Sequence, residues 1–152
     1  MNNQYKTKIP NSKQDFERYY YLRWKILRKP YGKELGTETD EFENSAYHQM
    51  IVDSENNVIA VGRIHFLIER NIAQIRYMAV DDNYIKEGLG TKILTCLEVY
   101  ANNNKINKII LHSRESAIDF YKKNGYEVIK KTHILYDSIQ HWMMSKNNNL
   151  NK

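Results

Sequence analysis

The chain has 152 residues and a formal charge of +5, with 41% hydrophobic and 27% charged residues. That composition suits one globular domain with a real core and excludes a disordered or fibrous chain. No apolar run approaches the ~18 residues that span a bilayer. MNNQYKTKIP lacks the apolar stretch of a signal peptide, and Cys96 has no second cysteine to pair with, so a reducing cytoplasm is the expected location.

NSKQDFERYYYLRWKILRKP predicts the first helix. Ser12 can cap it, Asp15 puts an acid at its positive end, Phe16, Tyr19, Tyr20, Ile26 and Leu27 recur at helical spacing, and Pro30 closes the run. KPYGKELGTETDEFEN reads as a loop with at most one helical turn. Its acids Glu38, Asp40, Glu41 and Glu43 either attract a cationic amine or form a solvated edge offsetting nearby lysines. AYHQMIVDSENNVIAVGRIHFLI alternates around a turn-rich DSENN and predicts a hairpin; AQIRYMAV is a further strand. A glycine stretch then leads into a helix from Leu89 to about Ala101, in which Cys96 is a packed thiol. KIILHS is a strand, ESAIDFYKKNGY a helix stopped at Asn124-Gly125, and the remainder gives two last strands. NNNK at 102–105 reads as a loop and 147–152 as a frayed tail, leaving one α+β domain over 1–146.

The positive charge suits nucleic acid or a polyanionic cofactor. Lys122, Lys123, Lys130 and Lys131 are scattered as on a solvated face, and no nucleic-acid module accompanies them, so a nucleic-acid partner is not expected. No membrane partner is expected either.

VDDNYIKEGLGTKILTCLEVYA places Gly88 and Gly90 where a strand gives way to a helix. A helix start offers unpaired N–H groups and partial positive charge, and glycine admits a phosphate close to the backbone. Lys86 adds a cation. The order Thr91-Lys92 is wrong for a P-loop, and the third glycine of a dinucleotide fold is missing.

The stretch instead resembles the pyrophosphate loop of the GNAT N-acetyltransferase superfamily, Arg/Gln-x-x-Gly-x-Gly/Ala after a strand ending in Val. A second GNAT motif, Ala-x-x-Phe-Tyr-x-x-x-Gly-Phe/Tyr, is matched by Ala117 to Tyr126. LRWKILRKP, TDEFE, His48, VGRIH, FYKKNGY and DSIQHWMM together look like the ElaA-like branch of small bacterial acetyltransferases.

The resemblance implies a mostly antiparallel mixed sheet flanked by helices, with a splayed strand pair at the acyl-CoA site. It implies acetyl-CoA as cofactor and an amine, on a small molecule or a peptide, as acceptor. By position it assigns Met78, Ala79 and Val80 to the pantetheine arm, and Lys86, Glu87, Gly88, Leu89, Gly90 and Thr91 to the pyrophosphate. Arg114 lies beside the cofactor, and Tyr121 is the general acid to the leaving thiolate. Ile85 stands where the family has Arg or Gln, and Gln74 where many members have a catalytic Glu. His112, His65, His48 and His141 are then candidate bases, His112 first because it shares a strand side with Arg114. A water relay is the other route. The missing Glu and Arg leave an alternative, an acyl-CoA-binding regulatory or sensor module without turnover. Ile134, Leu135, Tyr136, Ile139, Trp142 and Met143 make an apolar end that finishes the sheet or is shared in a homodimer, with a dimer favoured.

Overall fold

The computed structural model describes residues 4–67 and 71–148. Its elements run β1 (Lys6–Lys8), α1 (Lys13–Leu27), β2 (Tyr47–Val52), β3 (Val58–Leu67), β4 (Ile72–Val80), α2 (Leu89–Asn103), β5 (Lys108–Arg114), α3 (Ile118–Lys123), β6 (Glu127–Leu135) and β7 (Ile139–Asn147). The seven strands form one sheet in the order β1-β2-β3-β4-β5-β7-β6. β4 and β5 run parallel, while β1 with β2, β2 with β3, β5 with β7 and β6 with β7 are antiparallel. This is the expected α+β architecture. Among the described residues no helix is long and apolar enough to cross a membrane.

Contacts group the chain into two compact units, Met1–His65 with Tyr77–Leu97, and Phe66–Arg76 with Glu98–Lys152. In the first, Ser12 Oγ accepts from the Asp15 amide and starts α1 as read from the sequence. The helix ends at Leu27, earlier than the expected stop, because Pro30 belongs to a separate 3₁₀ turn, Lys29–Tyr31. Tyr19 and Leu22 of α1 bury against Met50, Val52, Val61 and Ala79. β1 escaped the sequence reading: three polar-flanked residues pair along β2, Lys6 opposite Val52 and Lys8 opposite Met50.

Gly62 of β3 sets how closely α2 approaches. A Cβ there would lie 2.5 Å from Ile93 Cγ2 and 2.7 Å from Met78 Sδ. Gly62→Ala is therefore expected to destabilise the fold by about 1–3 kcal/mol, since Ile93 is buried and cannot withdraw freely. Chemical denaturation checks this, and an unchanged midpoint contradicts it.

In the second unit, Ile109, Leu111 and Met144 bury on the strands and Tyr126 packs beneath, its hydroxyl donating to Glu98 at 2.8 Å. Gly125, at φ 93°, closes α3 with its amide on the Lys122 carbonyl. The sequence boundaries shift at two places. Asn102 and Asn103 complete α2 rather than opening a loop, and Asn104 Nδ2 donates back to the Tyr100 carbonyl. Asn147 belongs to β7, and the Asn148 amide bonds the Asn107 carbonyl, so the strand enters the segment read as a tail. Residues 149–152 of that tail, and Ile68 of the expected hairpin, lie outside the described residues.

Candidate active site

Met78 to Thr91 fall in the first unit; His112, Arg114 and Tyr121 fall in the second. β4 leads into the loop through Tyr77, a tyrosine at φ 61° inside a strand. A left-handed non-glycine residue there is strained. The β4–β5 ladder pairs Ile72 with Lys108 through Ile75 with Leu111, while β4 itself continues to Val80.

The strain at Tyr77 is held by its surroundings. Its buried ring lies 4.1 Å from the guanidinium carbon of Arg23 and 4.9 Å from that of Arg63. Both arginines are fully buried. Arg23 donates to Glu43 Oε2 at 2.8 Å and to the Glu38 carbonyl at 3.0 Å. Arg63 grips both oxygens of Asp40, at 2.6 and 3.1 Å, and Glu43 at 2.9 Å. Two of the four acids of TDEFE and its flank, Asp40 and Glu43, are thus held by buried guanidiniums rather than forming a solvated edge. Asp40 and Glu43 are pulled inward because two buried cations require counter-charges, while Glu38 is buried with its carboxylate accepting from the Gly36 amide and Glu41 is exposed.

After Val80, Asp81 Oδ1 accepts from the Asn83 amide and caps a short turn, Asp82–Tyr84. Lys86 and Gly88 are then left-handed, at φ 66° and 80°. The Lys92 amide bonds the Gly88 carbonyl, so the amides of Leu89, Gly90 and Thr91 precede the first helical bond. Leu89 is buried and pins the helix start, while Lys86, Glu87, Gly88 and Thr91 are exposed and Gly90 is half-buried. A Cβ on Gly88 would meet nothing within 4 Å, so the space before the helix is open. The Glu87 carboxylate, a poor neighbour for an anion, is engaged by the Tyr5 hydroxyl, and that bond pushes the Tyr5 phenol up to about 12. Tyr5 was not read as functional, and no sequence signal ties it to Glu87 across that separation. These features fit an anion held by backbone amides at a helix start. Ala79 is buried and Met78 and Val80 half-buried on the strand that precedes them.

In the second unit Tyr121 is 8% exposed, its ring edge-on to Phe120 at 5.0 Å and to Tyr126 at 5.9 Å. Burial holds its phenol well above the ordinary value, with Arg114 drawing it partly back. Tyr121 therefore carries its proton at neutral pH. Arg114 ends β5 half-buried.

The histidines separate. His48 is buried with Nδ1 2.8 Å from the Tyr19 hydroxyl and Nε2 2.8 Å from the Glu43 carbonyl, so both ring nitrogens are committed. His65 stacks on Phe42 at 4.4 Å and lies 3.2 Å from Arg63. His141 Nδ1 bonds the Ile139 carbonyl at 3.0 Å. His112 is half-buried, with its nearest polar contact, Thr132, at 3.4 Å. Burial and then the positive groups around it lower its titration, which leaves a neutral imidazole at pH 7. Gln74 pairs opposite Ile110 in the ladder and has no carboxylate to offer.

The model of the acetyltransferase (GNAT) family matches residues 15–126, well over half of the chain. The chain belongs to the GNAT acetyltransferase family. This GNAT protein is 26% identical over 141 residues to the uncharacterised N-acetyltransferase YjcF of Bacillus subtilis, covering 93% of this chain and 99% of that one. In fold it is similar to a GNAT acetyltransferase of Staphylococcus aureus, at TM-score 0.78 and 17% identity, covering 95% of this chain and 99% of that one. It is also similar to ElaA of Escherichia coli, at TM-score 0.77 and 12% identity, covering 94% and 98%. At these identities the two structures show the shared GNAT fold alone.

Proposed function

We propose that this GNAT protein transfers an acetyl group from acetyl-CoA to a primary amine by direct attack. The observation that carries the reading is the left-handed pair Lys86 and Gly88 ahead of an open helix start, after a strand that carries the left-handed Tyr77. Amides from Lys86 to Thr91 hold the pyrophosphate, and backbone groups of Met78, Ala79 and Val80 hold the arm and polarise the thioester. Arg114 lies beside the cofactor. Tyr121 gives its proton to the leaving sulfur, which its protonated state at neutral pH permits. His112 is the base that takes the amine proton. The absence of a carboxylate at Gln74 and of a cation at Ile85 favours a second reading, an acyl-CoA-binding regulatory module without turnover.

Incubating the purified chain with acetyl-CoA and a broad amine panel, and following free thiol, separates the two. Release of CoA with a mass increase of one acetyl group on an amine is the expected result. Binding of acetyl-CoA with no acetylated amine would leave the regulatory reading.

The cytoplasm remains the proposed location. A homodimer through the β6 edge belongs to the same proposal: Ile129 and Ile134 expose 51% and 58% of their area there. Light scattering is expected to give twice the chain mass; a concentration-independent monomer ends the idea.

A further inference from the structure

Glu87 sets a carboxylate beside the amides proposed to hold a pyrophosphate, two residues ahead of the start of α2 at Leu89. The partial positive charge and free amides that draw a phosphate to a helix start draw a side-chain carboxylate as well. There is room for it to come in, because a Cβ on Gly88 would meet nothing within 4 Å. A loose Glu87 side chain would therefore sit on those amides itself or repel the anion they are to bind.

The side chain is not loose. Glu87 Oε1 accepts from the Tyr5 hydroxyl, and three elements of the first unit put that hydroxyl in place. Lys6 of β1 pairs opposite Val52, which brings Tyr5 level with Asp53 at the β2–β3 turn. The Tyr5 ring meets the Tyr84 ring edge-on at 5.9 Å, and the Tyr84 hydroxyl reaches Asp53 Oδ2 at 3.4 Å. Asp53 Oδ1 in turn accepts from the Glu55 and Asn57 amides, so the turn beneath is tied. The Asp81 amide bonds the Ile59 carbonyl at 2.9 Å and fixes the start of the loop to β3. The Tyr5 phenol is pushed up to about 12, by the bond to Glu87 first, then by partial desolvation and the charges of Glu87, Tyr84 and Asp53. At neutral pH it therefore keeps the proton that it donates, and a hydroxyl donating to a carboxylate makes a strong bond. Tyr5 precedes residues 15–126, so this contact lies outside the span matched to the family.

We infer that Tyr5 is a positioning residue for the cofactor: its hydroxyl holds the Glu87 carboxylate off the helix start and keeps the amides of Leu89, Gly90 and Thr91 open to the pyrophosphate. The inference rests on the proposed seat for the cofactor at that helix start. Without the hydroxyl the carboxylate turns toward the same amides, where it competes with the anion for donors and repels it by charge. The effect is electrostatic at an exposed site, so salt weakens it.

Two measurements on the intact chain test it. In the first, calorimetry with CoA compares the wild type with Tyr5→Phe, Glu87→Gln and the double variant. Tyr5→Phe keeps the ring against Tyr84 and is expected to weaken CoA about tenfold at low ionic strength, and less at high salt. Glu87→Gln is expected to bind more tightly than wild type. The double variant is expected to match Glu87→Gln, because with the carboxylate gone the hydroxyl restrains no charge. Wild-type affinity in Tyr5→Phe, or a double variant as weak as Tyr5→Phe, overturns the inference while the cofactor seat stands, and leaves Tyr5 a packing residue of β1. Weaker binding in Glu87→Gln alone also overturns it, since the carboxylate would then be a contact of the cofactor. In the second, backbone amide resonances are compared without ligand. Those of Leu89, Gly90 and Thr91 are expected to move in Tyr5→Phe and, in the double variant, to return to their positions in Glu87→Gln. Unmoved amides overturn the inference. Amides that move as expected, with CoA bound by none of the four proteins, defeat the cofactor seat and the positioning role with it, and leave Tyr5 a clasp on Glu87 alone.

Discussion

Replacing Tyr121 by phenylalanine is expected to lower the acetyl-transfer rate by about 10² to 10⁴ while leaving acetyl-CoA affinity unchanged. The substitution keeps the ring that packs edge-on to Phe120 and Tyr126 and removes only the hydroxyl. Burial keeps the phenol protonated at neutral pH, so the wild type always has a proton to give. Without it the departing thiolate must find a proton in water, which is easier at low pH. The deficit is therefore expected to shrink as pH falls. A thiolate is a fair leaving group unaided, and a loss near the lower end would mean that solvent substitutes. Steady-state kinetics with an identified amine decide the matter. A wild-type rate, or a loss wholly in cofactor affinity, makes Tyr121 a packing residue.

The second large effect is at Gly88. Gly88→Asp puts a side chain on a residue at φ 80°, where L-residues lose about 1–2 kcal/mol. It also sets a negative charge at the helix start, where the proposal seats a pyrophosphate. Calorimetry is expected to show acetyl-CoA affinity falling at least about a hundredfold, the two costs adding. Gly88→Ala separates them: its Cβ meets nothing within 4 Å, so it carries only the backbone strain and a smaller loss. Gly90→Asp is expected to abolish affinity through its charge. Ile85→Arg, restoring the family's cation at an exposed position, is expected to bind equally or more tightly. Wild-type affinity in Gly88→Asp would falsify the loop assignment.

The elements that carry these candidate residues were legible because their signals are local. Two glycines before an apolar helix, and Phe120-Tyr121 five residues before Tyr126, each lie within one short stretch, and the structure builds the expected strand, loop and helix around them. What escaped is non-local or has no residue-type signal. Nothing about a tyrosine announces a left-handed residue inside β4, nor that two distant arginines pack their guanidiniums on the Tyr77 ring. Arg63 among apolar neighbours in VIAVGRIHFL did carry a hint, since a charge on a buried strand demands a partner. The partners, Asp40 and Glu43, sit more than a strand away in a loop that looked solvated. His133 was not among the candidate bases; simple alternation along β6 gives no sign of its stack on His141, which follows a register shift. β1 is too short and polar to show a period.

The central claim is that the amides ahead of α2 hold the cofactor's pyrophosphate. It is tested most directly by following backbone amide resonances of the intact chain during a titration with CoA. The account predicts saturable binding with the largest shifts, and slowed hydrogen exchange, at Gly88, Leu89, Gly90 and Thr91. Saturation with those four amides unmoved, or no binding at all, would contradict it.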